Sequence, residues 1–126
     1  MKNILVLAKD ERLYDIIARV VEKPKKEYVL FPTHSRKAFY DMAGDEEFKF
    51  DLVIILNCNI EDKLSFIMKE TRKKTDAPFL LITAPQKINF KEERIYMEKR
   101  KDVNILLRPF KPEELVITVN AIIDPQ

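Results

Sequence analysis

One glycine, Gly44, in 126 residues is too few for the loops that cradle nucleotide phosphates, which need bare backbone at several positions. One cysteine, Cys58, rules out an internal disulfide and a cysteine-built zinc cage, and it points to a reducing compartment, the cytoplasm. Without a histidine or second cysteine beside it, Cys58 reads as structural and not as a reactive thiol. The single histidine, His34, follows Pro32 with no Cys or Asp at ligand spacing, so it reads as a surface residue. No apolar run approaches the roughly 20 residues of a membrane helix, and the short run after Met1-Lys2-Asn3 has no secretory cleavage pattern. Neither sign of charge dominates: Lys+Arg 23 against Asp+Glu 21 leaves +2, which argues against a surface that coats nucleic acid.

What the chain does have is hydrocarbon in a regular rhythm. Hydrophobic residues make up 46%, ample for one core, and the length fits one domain over 1–126 with no linker, repeat or attached output domain. Continuous apolar runs at 4–7, 28–31 (stopped by Pro32), 52–56, 79–82 and 105–107 predict strands, as a sheet covered on both faces requires. Between them, apolar residues recur at helical spacing. Leu13, Ile16, Ile17, Val20 and Val21 form one face, ended by Pro24. Ala38, Phe39 and Met42 form the next, with Gly44 as its stop, and Leu64, Ile67 and Met68 the third. A charged fourth helix is expected over 90–101, with a thin apolar face of Phe90, Ile95 and Met97. Pro112 followed by Glu113 and Glu114 opens the last helix, whose stripe is Leu115, Val116, Val119, Ile122 and Ile123.

Five strands alternating with five helices imply a parallel sheet built by right-handed crossovers. The expected fold is a three-layer α/β sandwich, for which the flavodoxin-like strand order 2-1-3-4-5 is one of the two common solutions. Sites in such sheets gather at the carboxyl ends of the strands. Residues 8–10, 56–59, 83–84 and 108–109 are therefore the ones to inspect.

Several of these stretches are specific in combination. Ile82-Thr83-Ala84, the run Arg108-Pro109-Phe110-Lys111-Pro112-Glu113-Glu114-Leu115, and the strand and helix pattern over 4–17 resemble the receiver domain of response regulators (CheY-like). The resemblance covers nearly the whole chain. It implies a pocket in which carboxylates hold magnesium, one carboxylate accepts phosphate, a lysine steadies the phosphoryl oxygens and a hydroxyl senses the result. Here the first-strand acids fall on Ala8 and Lys9, leaving Asp10 as the one candidate ligand. The acceptor falls on Leu56, or on Asn57 if the register slides by one, and neither can form an acyl phosphate. Arg108 stands for the lysine, Thr83 for the hydroxyl, and Ile105 for the aromatic switch residue.

The resemblance therefore implies a stand-alone, degenerate pseudo-receiver that has lost magnesium, needs no cofactor and catalyses nothing. It would work in a two-component-like system as a phosphorylation-independent protein–protein interaction module. Partners would dock on the face made by the fourth helix, fifth strand and fifth helix, with a homodimer among the candidates. Lys9 would sit where the dication is otherwise held and take over its charge, unless it is simply solvated at a loop. Two alternatives stay open: a phosphorelay regulator with an unconventional acceptor such as Asp10 or Asp62, and a small α/β enzyme using a strand-end pocket around Asn57, Cys58, Thr83 and Arg108.

Overall fold

A computed structural model describes residues 2–22, 27–56, 64–84 and 102–124. In chain order the elements are β1 (Lys2–Leu7), α1 (Glu11–Glu22), β2 (Tyr28–Thr33), α2 (Arg36–Ala43), β3 (Leu52–Leu56), α3 (Leu64–Arg72), β4 (Phe79–Thr83), β5 (Val103–Leu107) and α4 (Pro112–Ile123). The five strands form one parallel sheet in the order β2-β1-β3-β4-β5. The helix expected over 90–101 lies outside the described residues, so four helices stand among them.

Alternation along the strands divides the core. Ile4, Val6 and Ala8 join Leu52, Ile54, Leu56, Leu80, Ile82 and Leu106 on the face covered by α1 and α4. Leu5, Leu7, Val53, Ile55, Phe79 and Leu81 face the other way, under α2 and α3. Every residue of β3 and β4 is buried, which is why these strands carry aliphatic runs and no polar alternation.

Pro32 does not end β2, as the sequence suggests; the strand runs on to Thr33. The reason is its place at the sheet edge. Glu27 O accepts from Lys2 N–H at 2.9 Å and Thr33 O accepts from Ala8 N–H at 2.9 Å, so odd-numbered residues of β2 face β1. Pro32 falls on the outward set, where its missing N–H removes no ladder bond.

Helix starts follow local chemistry. Ser35 Oγ caps α2 by accepting from Ala38 N–H at 3.1 Å. Glu114 Oε1 reaches back to Lys111 N–H at 3.2 Å, ahead of Pro112 at the start of α4. At the amino end of the sheet the Arg72 guanidinium lies 4.6 Å from the Phe79 ring centroid. It donates to Ala77 O at 2.9 Å and to Thr75 O at 3.2 Å, and pairs with Asp102 just before β5. One side chain thus joins α3, the following loop, β4 and the entry to β5.

Tyr28, buried in β2, donates its hydroxyl to Asn120 Oδ1 at 2.6 Å and ties α4 to the far edge of the sheet. Burial, with Asp124 and Glu27 adding to it, raises its pKa above the ordinary 10.0. Burial raises that of Tyr14 as well, with Glu22 and Asp15 contributing. A raised phenol pKa leaves its stability contribution whole below the unfolded value and removes it as pH climbs through the folded value. Tyr28→Phe is expected to cost about 1 kcal/mol at neutral pH, measured by urea unfolding. The alkaline loss of stability should become shallower in that variant and shallower still in the Tyr14→Phe/Tyr28→Phe double variant.

Candidate functional site

The carboxyl ends of β1, β3, β4 and β5 come together on one rim of the sheet. Ala8 prolongs β1: its N–H bonds to Thr33 O and its side chain is fully buried. Leu56 closes β3, paired with Ile82 of β4 and only 1% exposed. Ala8, Leu56 and Ile82 belong to one apolar cluster, so hydrocarbon fills this part of the rim.

Asp10 has a structural use. Its Oδ1 accepts from Arg12 N–H at 2.9 Å and from Leu13 N–H at 3.4 Å, while its carbonyl accepts from Tyr14 N–H at 3.1 Å. That is an N-cap for α1, with a carboxylate at the positive end of the helix. Lys9, beside it, is exposed.

Thr83 ends β4, buried, with its hydroxyl donating to Ala84 O at 3.3 Å. Its carbonyl accepts from Arg108 N–H at 2.8 Å, which brings Arg108 onto the same rim as Thr83. The Arg108–Pro109 peptide is cis. Ile105 lies on β5, 41% exposed. Asn57, Cys58 and Asn59 fall outside the described residues, as do Asp62 and the charged helix of 90–101.

His34 is the residue that reasoning from composition passes over. It is half-exposed, but its ring is held: Nδ1 lies 2.6 Å from Ala8 O. A carbonyl only accepts, so Nδ1 carries the proton. Nε2 stands 4.0 Å from Glu11 Oε1, and the ring meets Tyr14 edge-on at 6.1 Å between centroids. The signal that finds it is strand order. With β2 beside β1 and Thr33 opposite Leu7, the next position pairs His34 with Ala8.

Magnesium demands near-octahedral oxygen ligation, with carboxylates supplying charge. Among the described residues, the β1 end of the rim offers Asp10, already capping a helix, and Glu11, which faces His34. No group of three or more His, Cys, Asp or Glu able to hold a metal is found among the described residues. That donor set does not fit the ion.

No family model matches the chain, and no curated protein matches it. Solved structures do. A response regulator receiver domain from Clostridium thermocellum aligns at 17% identity and a TM-score of 0.78, over 98% of this chain and 95% of that one. An adenylate cyclase structure from Rhodopirellula baltica aligns at 14% identity and a TM-score of 0.77, over 97% of this chain and 87% of that one. A Burkholderia pseudomallei response regulator, solved with a phosphorylated aspartic acid, calcium ion and citrate, aligns at 19% identity and a TM-score of 0.70, over 99% of this chain and 68% of that one. At such identities the likeness fixes the fold: this chain has the CheY-like receiver fold.

Asp10 distinguishes capping from ligation in a simple way. Asp10→Ala is expected to lower stability by about 1 kcal/mol, and Asp10→Ser to restore most of it, because a hydroxyl also caps. Thermal unfolding with and without magnesium checks this. A magnesium-dependent stabilisation lost in both variants would assign the carboxylate to a metal instead.

Proposed function

We propose that the chain is a signalling module of receiver fold that works through protein–protein contact, without phosphoryl transfer and without catalysis, in the cytoplasm. The observation that carries this reading is Leu56, buried at 1% exposure and, with Asn57, one of the two positions on which the resemblance sets the acceptor carboxylate. A leucine has no lone pair to attack phosphorus, and its neighbours in the same cluster, Ala8 and Ile82, have none to bind a dication. On this reading Lys9, exposed at the end of β1, supplies locally the positive charge that a dication brings elsewhere.

Partner contact is supported from a different quarter. Of the exposed large hydrophobic residues, Ile105 and Leu107 lie on β5 and Ile117 on α4, the described part of the face expected from sequence. Apolar side chains gathered on one side of a domain mark contact surfaces.

Incubation with acetyl phosphate and magnesium is expected to leave the intact mass of the protein unchanged. Beryllofluoride with magnesium should likewise leave its amide spectrum unchanged. A phosphoryl adduct on any aspartate overturns the proposal. Leu56→Asp alone should cost roughly 3 kcal/mol at neutral pH, because it buries an unpaired carboxylate. Burial would raise that carboxyl's pKa, so the deficit should shrink as pH falls below the folded value. The combined Ala8→Asp, Lys9→Asp and Leu56→Asp variant should recover part of the loss when magnesium and beryllofluoride are added.

A further inference from the structure

Two hydrogen-bond acceptors come together beside the end of β1. His34 gives its Nδ1 proton to Ala8 O at 2.6 Å, so the neutral ring keeps a lone pair on Nε2. Glu11 Oε1, which can only accept, stands 4.0 Å from that nitrogen. A lone pair beside a carboxylate is an unfavourable pairing until a cation joins them.

The ring is held in this position. Besides its bond to Ala8 O, it meets Tyr14 edge-on at 6.1 Å. Strand register fixes its place, since Thr33 lies opposite Leu7 and His34 comes next. Glu11 is placed from the other side as the first residue of α1, behind the Asp10 cap. Both side chains are open to solvent, His34 at 39% and Glu11 at 78%, so an ion can reach them.

We propose that His34 Nε2 and the Glu11 carboxylate together bind a late first-row divalent ion, zinc, nickel or copper(II). The distances allow it. Metal–donor bonds of about 2.1 Å at a tetrahedral angle put the two donors about 3.4 Å apart. The observed 4.0 Å therefore has to close by about 0.6 Å, within reach of the exposed Glu11 side chain. No third His, Cys, Asp or Glu completes a cluster among the described residues. Water fills the remaining positions, which makes this an open, exchangeable site and not a structural one.

Donor chemistry selects the ion. A metal-binding histidine gives its other N–H to a carbonyl or carboxylate, which fixes the tautomer and strengthens the ligating nitrogen. The Ala8 carbonyl does this here. Imidazole suits zinc, nickel and copper, whereas magnesium and calcium take oxygen. The site thus uses different residues and a different class of ion from a magnesium pocket. Its position gives binding a structural consequence. Ser35, next to His34, caps α2, and Asp10, next to Glu11, caps α1. A bound ion links the starts of two helices that cover opposite faces of the sheet.

This inference goes beyond the signalling reading and does not rest on it. A metal titration contains no phosphoryl donor and no partner, so either can fail alone. The experiment is zinc titration of the isotope-labelled chain with a phosphine reductant, followed by NMR of the imidazole nitrogens. His34 is the only histidine, so the ring signals are unambiguous. Zinc is expected to shift the Nε2 resonance while Nδ1 keeps its proton. Magnesium in large excess should neither cause the shift nor compete with it. Affinity should rise from cobalt through nickel to copper(II) and fall again at zinc. His34→Ala should abolish binding at this site. Glu11→Gln, which keeps the ring and the fold, should weaken zinc binding at least about tenfold with unchanged circular dichroism. Ring nitrogens that ignore zinc overturn the proposal, as does zinc taken up at Cys58 alone. Equal binding by Glu11→Gln, or competition from magnesium, overturns it as well.

Discussion

The sheet must be covered on both faces, and the rest of the architecture follows from that requirement. β3 and β4 bury every residue, and Ile4 to Ala8 of the first strand are buried as well. Strands of this kind have no solvent side, so crossover helices must lie above and below them. α1 and α4 take one face, α2 and α3 the other. Each large aliphatic side chain so buried stabilises the fold by about 1.5–3 kcal/mol relative to exposure.

Hydrocarbon also runs up to the carboxyl rim of the sheet. Ala8 and Leu56 continue the packing of Val6 and Ile54 to the last strand positions. At the opposite end Arg72 satisfies two loop carbonyls and pairs with Asp102. A buried guanidinium left without partners would be costly, so that network fixes α3 and β5 relative to β4. Substituting a charge is more disruptive at Leu56 than at exposed Lys9.

Much of this is legible in the chain because aliphatic runs admit few alternatives. Residues 52–56 and 79–82 cannot alternate in and out, so they read as central strands, and the helices between them force parallel order. Pro32 misleads because a breaker acts only where its missing N–H is needed, and whether it is needed depends on which way the strand faces. Asp10 shows another limit: a carboxylate one place from a ligand position also caps the adjoining helix, a use that spacing alone does not reveal. His34 is invisible to spacing because its partner, Ala8 O, is a backbone atom brought close by strand order alone. Side chains that answer to local backbone geometry are read least well, and those that answer to bulk burial are read best.

On the proposed reading, a receiver fold without an acceptor carboxylate changes what regulation can mean. A phosphorylated switch works by differential stabilisation: the phosphoryl group binds one conformation better and moves the population toward it. With Leu56 in the core, the proposed module has no covalent ligand to supply that difference. Its contact surface must then be competent in the ground state, and occupancy is set by concentration and affinity.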